Sequence, residues 1–154
     1  IKMKRKRGFT LVEIMIVVAI IALLAAIAIP NLLRARLQAN ESSAQAALKT
    51  IATAEVTYRT ANPTYGTLEQ LGAPATGPAY IDSVLAAGVK NGYTFTTTTD
   101  IAAEIFHADA IPVTANVTGV RSFCVTEDGV VRVQAAGGAI GTRAACLALP
   151  ATAP

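Results

Sequence analysis

From Phe9 to Ile29 the chain is apolar at every position except Thr10 and Glu13. As an α-helix these residues extend roughly 31 Å, about the thickness of a bilayer core. Beyond Pro30 the pattern changes. Apolar residues recur at Leu33, Leu37, Ala44, Leu48, Ile51 and Tyr58, which marks one face of a helix. Arg34, Gln38, Glu41, Gln45 and Lys49 fall on another face. Phe9 to about Thr60 therefore reads as one helix of roughly 78 Å. Its first half has no polar face and must bury in lipid or against copies of itself. Its second half, an amphipathic helix over 31–60, carries a stripe suited to a small globular head.

Asn62-Pro63 ends the helix, because the residue before proline is driven out of the helical region. Residues 61–92 read as a connecting loop, with Thr67 capping a turn at Leu68–Gln70. A short helix is expected from Tyr80 to Ala87, stopped by Gly88. Residues 92–99 alternate Tyr93 and Phe95 with threonine, a strand with one buried face. Ile105 to Val113 is a weaker strand candidate. Residues 120–127 and 130–134 flank Asp128-Gly129, a hairpin turn signal. Three or four antiparallel strands result, in a sheet over 92–134 that covers the apolar face of the long helix, an α+β class. The tail, 135–154, is rich in small residues and reads as irregular.

Charge sharpens the N-terminal picture. Lys2, Lys4, Arg5, Lys6 and Arg7 are five of the 13 basic residues, and the rest of the chain, with ten acids, carries about −2. The basic pI thus belongs to a targeting segment, which stays on the cytoplasmic side and sends the remainder outward. A cleaved secretory signal fits poorly, since the apolar run ends at Pro30-Asn31 without a small-residue cleavage site. A plain anchor explains length and charge but not Glu13. An ionisable group in a membrane helix normally has a partner. No base lies in the segment, so the partner comes from another molecule or from a new N-terminus. A cut between Gly8 and Phe9 would place the Phe9 amine about one helical turn from Glu13, and a paired carboxylate is far less costly to bury than a lone one.

The stretch Arg7-Gly8-Phe9-Thr10-Leu11-Val12-Glu13 resembles the processing site of type IV pilins and the related secretion pseudopilins. The likeness rests on motif over 5–60 and on pattern alone over 61–134. It implies a pilin fold. It implies a leader of residues 1–8, with Met3 as a start, removed by a prepilin peptidase that cuts after Gly8 and N-methylates Phe9. It implies that Glu13 guides assembly of the filament core, 9–30, and that Pro30 kinks or melts the helix; residues 31–154 would form the head. Further implied partners are copies of the chain itself, a pilus assembly ATPase with its platform protein, and an outer-membrane secretin. The subunit would wait in the inner membrane, C-terminus in the periplasm, and end on the cell surface. An intact Glu13 points to a subunit that packs in bulk, a major-type pilin. The major pseudopilin of a type II secretion system shares this residue. A membrane-tethered periplasmic binding module that never polymerises is the remaining alternative; it predicts tolerance of Glu13→Gln and no cleavage at Gly8.

The chemistry-bearing residues are sparse. Cys124 and Cys146 lack the spacing of a zinc knuckle or redox pair. In an outward-facing domain they can form a disulfide, with two buried thiols as the alternative; the resemblance favours the disulfide, because many pilins staple their C-terminal region in this way. His107 and Asp109 share a strand face near Ser122, but a half-exposed strand histidine is the simpler reading than a triad. Glu127 and Asp128 read as turn formers, and no loop is oxygen-rich enough for a calcium site. Gly137, Gly138 and Gly141 are too loosely spaced for a phosphate loop. Asn40-Glu41-Ser42 and Asn116-Val117-Thr118 are weak sequons. Eight aromatics form no stacking stripe and no basic patch accompanies them, which argues against nucleic-acid binding. No enzyme, metal or cofactor is expected.

Overall fold

The structure, a computed structural model, describes residues 8–100 and 104–152. Helix α1 runs over Leu11–Ala61 with Pro30 inside it. The chain divides into two compact units, one ending at Ala35 and the other beginning at Arg36. In the first unit every described side chain except that of Ala25 is exposed, including Phe9 at 83% and Leu11 at 75%. The helix is long and apolar enough to cross a membrane. Pro30 lacks an N–H, so the turn before it loses one helix hydrogen bond, yet the helix continues.

In the second unit, α1 turns Ala44, Ala47, Leu48, Ile51, Ala54 and Tyr58 into the core. The expected stripe holds from Ala44 onward, whereas Leu37 is half-buried and Leu33 is exposed. Helix α2, Leu68–Gly72, opens on a capping box in which Thr67 and Gln70 satisfy each other's backbone N–H groups. Helix α3, Ser83–Ala86, is shorter than expected, because Asp82 caps its Leu85 N–H and sets its start there.

Five antiparallel strands follow in sequence order: β1 Val89–Lys90, β2 Tyr93–Asp100, β3 Ile105–Pro112, β4 Ser122–Thr126 and β5 Arg132–Gln134. β1 lies in the expected connecting loop. Its turn to β2 is Asn91-Gly92, both with positive φ (48° and 76°), as a two-residue hairpin turn of the primed type requires. β3, the weaker candidate, is the centre of the sheet, paired along its whole length with β2 and over His107–Ala110 with β4. Its sequence does not alternate cleanly because both its faces are covered. One face brings Phe106, Ala108 and Ala110 into the core with Tyr93, Phe95, Phe123 and Val125, against Leu48 and Ile51 of α1.

The tail covers the other face. It is not irregular throughout: Thr142 caps helix α4, Arg143–Leu147. Cys124 of β4 and Cys146 of α4 form a disulfide and pack with Ile140 and Leu149 in a second small core. Val133 N–H donates to the Pro150 carbonyl and Thr152 N–H to that of Val131, which ties the tail to the β5 edge.

Candidate assembly site and polar clusters of the head

Thr10 precedes the first helical residue, and Glu13 is the third residue of α1. Thr10 N–H and Thr10 Oγ1 each donate to Glu13 Oε2 at 2.8 Å, and Glu13 N–H donates to Thr10 Oγ1 at 3.2 Å. This is a capping box: two of the helix's orphan donors are satisfied, and the carboxylate is turned back onto the helix N-terminus. The sequence carried the signal, Thr-Leu-Val-Glu ahead of an apolar run, although Glu13 was expected to find no partner in its own segment. The expectation concerned an ionic partner; the hydroxyl and amide of Thr10 are neutral ones. Oε1 accepts no hydrogen bond among the described residues. Gly8 and Phe9 lie exposed before the helix, so Phe9 is outside it and not within its first turn. The expected leader, apart from Gly8, lies outside the described residues.

In the head, Glu41 is buried with the apolar face of α1, not on the separate face expected of it. It accepts hydrogen bonds from Val120 N–H at 3.0 Å, Arg121 N–H at 3.1 Å, and the Arg121 guanidinium at 2.8 and 2.6 Å. Burial pushes its carboxyl up, but these donors more than offset that and hold it below its ordinary value. Beside it, Asn40 Nδ2 donates to the Thr118 carbonyl. Together they fasten α1 to the β3–β4 connection.

His107 and Asp109 do share a face of β3, as expected, but His107 is buried under the tail and not half-exposed. Its Nε2 stands 3.9 Å from Asp109 Oδ2, which also accepts from Gly141 N–H. Burial pushes the Asp109 carboxyl up. Ser122 is fully buried, and its Oγ has no hydrogen-bond partner among the described residues, so the base–nucleophile contact of a triad is not made. Asp128 accepts from Thr126 Oγ1, Val130 N–H and Arg132, a turn-forming role; the Arg132 guanidinium holds its carboxyl down at about 2. Glu127 pairs with Arg143 of α4. The chemistry of the head is thus that of ion pairs joining one element to another.

The sequence profile of the prokaryotic N-terminal methylation motif matches residues 3–29. The type IV major pilin protein PilA of Myxococcus xanthus is 44% identical over 85 residues, 54% of this chain and 39% of that protein. The type II secretion system core protein G of Vibrio cholerae is 37% identical over 69 residues, 45% of this chain and 47% of that one. The chain thus spans less than half the length of these two relatives. The type IV wide pilus major component PilA4 of Thermus thermophilus is 39% identical over 95 residues, 59% of this chain and 72% of its own length. A likeness that carries the methylation motif and runs on across nearly three quarters of a pilus component is more than a shared anchor: the chain belongs to the type IV pilin family.

Proposed function

We propose that this chain is a major structural subunit of a type IV pilus, built by packing the N-terminal halves of many α1 helices. The observation that supports this most is the pairing of an exposed apolar half of α1 with a single carboxylate at its start. Side chains such as Ile14, Ile21 and Leu24 find no cover in their own chain. In lipid they are shielded already, so moving into a filament gains little from burial itself, and packing plus polar pairing decide register. Cleavage of the Gly8–Phe9 bond by a prepilin peptidase frees an amine on Phe9, which is then methylated. In the filament that cation meets Glu13 of a neighbouring copy. Before assembly, the Thr10 amide and hydroxyl are the local partners that lower the cost of holding the carboxylate in the membrane. Pro30, already short of one hydrogen bond, is where the helix unwinds during packing. An assembly ATPase, its platform protein and an outer-membrane secretin complete the route from inner membrane to cell surface.

A second reading, the major pseudopilin of a type II secretion system, draws on the matches to core protein G. One experiment separates these readings from a tethered module: intact-mass and N-terminal analysis of protein from sheared surface filaments. A chain starting at methylated Phe9 and two mass units light for its disulfide supports the pilin. Processed chain confined to the cell envelope supports the pseudopilin. A chain that keeps Arg7-Gly8 and never leaves the membrane sinks both. Glu13→Ala should abolish filaments while leaving membrane-inserted protein, read by filament yield against total protein.

A further inference from the structure

We propose that Glu55 is a proton-controlled latch that holds the connecting segment, residues 62–72, against α1 and releases it when its carboxyl ionises. Other bonds hold the same segment, Leu68 N–H to Thr97 Oγ1 and Arg59 to the Tyr65 hydroxyl, but the bond to Glu55 is the one whose acceptor is a buried carboxyl. Glu55 sits on α1 in the middle of the core and is fully buried. Its Oε2 accepts from Gly66 N–H at 2.8 Å, 11 residues along the chain, and its Oε1 is buried with no hydrogen-bond partner among the described residues. Gly66 lies so close to Tyr58 that a Cβ there would stand 3.1 Å from the ring. The segment that carries this N–H leads directly into the capping box of α2, so freeing Gly66 frees the start of that helix.

Among the described residues no opposite charge pairs with Glu55. Titratable groups on the elements around it include Lys49, Tyr58 and Arg59 of α1, Tyr65 on the segment itself, Glu69 of α2, Tyr80 beside Tyr58, Tyr93 and Asp100 of β2, and Glu104 beside β3. Arg59 is committed to Glu104 and to the Tyr65 hydroxyl. His107 and Asp109 point to the opposite face of the sheet, beneath the tail, since their neighbours Phe106, Ala108 and Ala110 face the core. None of these groups makes an ion pair with Glu55 among the described residues. A protonated carboxyl is neutral and tolerates this site; an ionised one has a single N–H to replace its hydration. Burial accordingly pushes Glu55 up to about 7, against an ordinary 4.5. Opening hydrates the carboxyl and restores its ordinary affinity for the proton, so opening releases a proton between pH 4.5 and 7. The segment is therefore held tightest at mildly acid pH, loosens as pH rises to 7, and changes little beyond.

The test is amide hydrogen exchange of the full chain in detergent micelles, with intrinsic exchange rates divided out. In the unmodified chain the opening constant of Gly66, Thr67, Leu68 and Leu71 amides should rise about fortyfold between pH 5 and pH 7, then level off. In Glu55→Gln, a neutral side chain that can still accept from Gly66, it should stay flat. A flat profile in the unmodified chain overturns the proposal, and so does an equal rise in the variant. Should Glu55→Gln fail to fold, carbon-13 titration of the Glu55 carboxyl in the unmodified chain decides: a midpoint near 7 supports the latch and one near 4.5 sinks it. Neither result depends on whether the chain forms filaments.

Discussion

Glu41 and Glu55 lie on the same helix and in the same interior, yet their carboxyls are driven in opposite directions. Glu41 has a guanidinium and two backbone N–H groups; Glu55 has one N–H. Read from sequence, Glu41 falls on a face apart from the apolar one, yet it stands three residues before Ala44 and seven before Leu48, a spacing that belongs to the core face; what no spacing could show is its partner Arg121, 80 residues away in sequence. Replacing Glu41 by Gln leaves the Arg121 guanidinium without its charged partner; the expected loss is about 2 kcal/mol of unfolding free energy. Denaturant titration of the purified chain reads it. Glu13 shows the reverse case. Its partner Thr10 is three residues away, so the capping box was legible in the string Thr-Leu-Val-Glu, while the partner proposed for it in a filament belongs to another molecule.

At the scale of elements, caps and turns carry most of the local specification. Thr67→Ala removes the hydroxyl that accepts from Gln70 N–H at the start of α2 and should cost about 1 kcal/mol, measured as a shift in thermal midpoint. The glycines divide by cause. Gly92 is needed for its positive φ in the β1–β2 turn. Gly119 is needed for space, since a Cβ there would fall 2.0 Å from the Tyr93 hydroxyl, which itself donates to the Arg121 carbonyl. Asp128-Gly129 reads as a hairpin turn from sequence, whereas Asn91-Gly92 falls in the expected connecting loop, because the two-residue strand β1 before it is too short to show a pattern. β3 was harder to read because strand alternation fades when a second layer covers the outer face. What covers it, the tail with α4, is joined through Cys124 and Cys146, 22 positions apart.

At the scale of the whole chain, stability against pH joins these groups. Glu55, pushed up to about 7, contributes stability that is full below its ordinary value of 4.5 and is lost as pH rises to 7. The gap corresponds to roughly 3 kcal/mol. Asp109, also pushed up by burial, acts in the same sense. Asp82, held down mainly by Lys90, and Asp128, held down mainly by Arg132, act oppositely, as does Glu41: their contribution is present above the ordinary carboxylate range and is lost as pH falls through their lowered values. The thermal midpoint should therefore peak near pH 5 and decline toward pH 8, with a shallower decline in Glu55→Gln; calorimetry across that range checks it. Replacing both cysteines by serine should cost about 3 kcal/mol and release the tail first, seen as lost exchange protection at Val133 and Thr152.

The sequence by itself determined the long apolar helix, the charge at its start, the helix-loop-sheet order, the hairpin at Asp128-Gly129 and the pilin resemblance. These are set by periodicity, by the steric needs of glycine and proline, and by groups within a few residues of one another. Only the tertiary structure decided that Glu41 meets Arg121, that His107 is buried, that Glu55 meets Gly66, that β3 is the centre of a five-stranded sheet and that the tail folds over it. Each of those facts depends on residues far apart in sequence, and a local pattern holds no record of which distant group will supply a charge, an N–H or a cover from water.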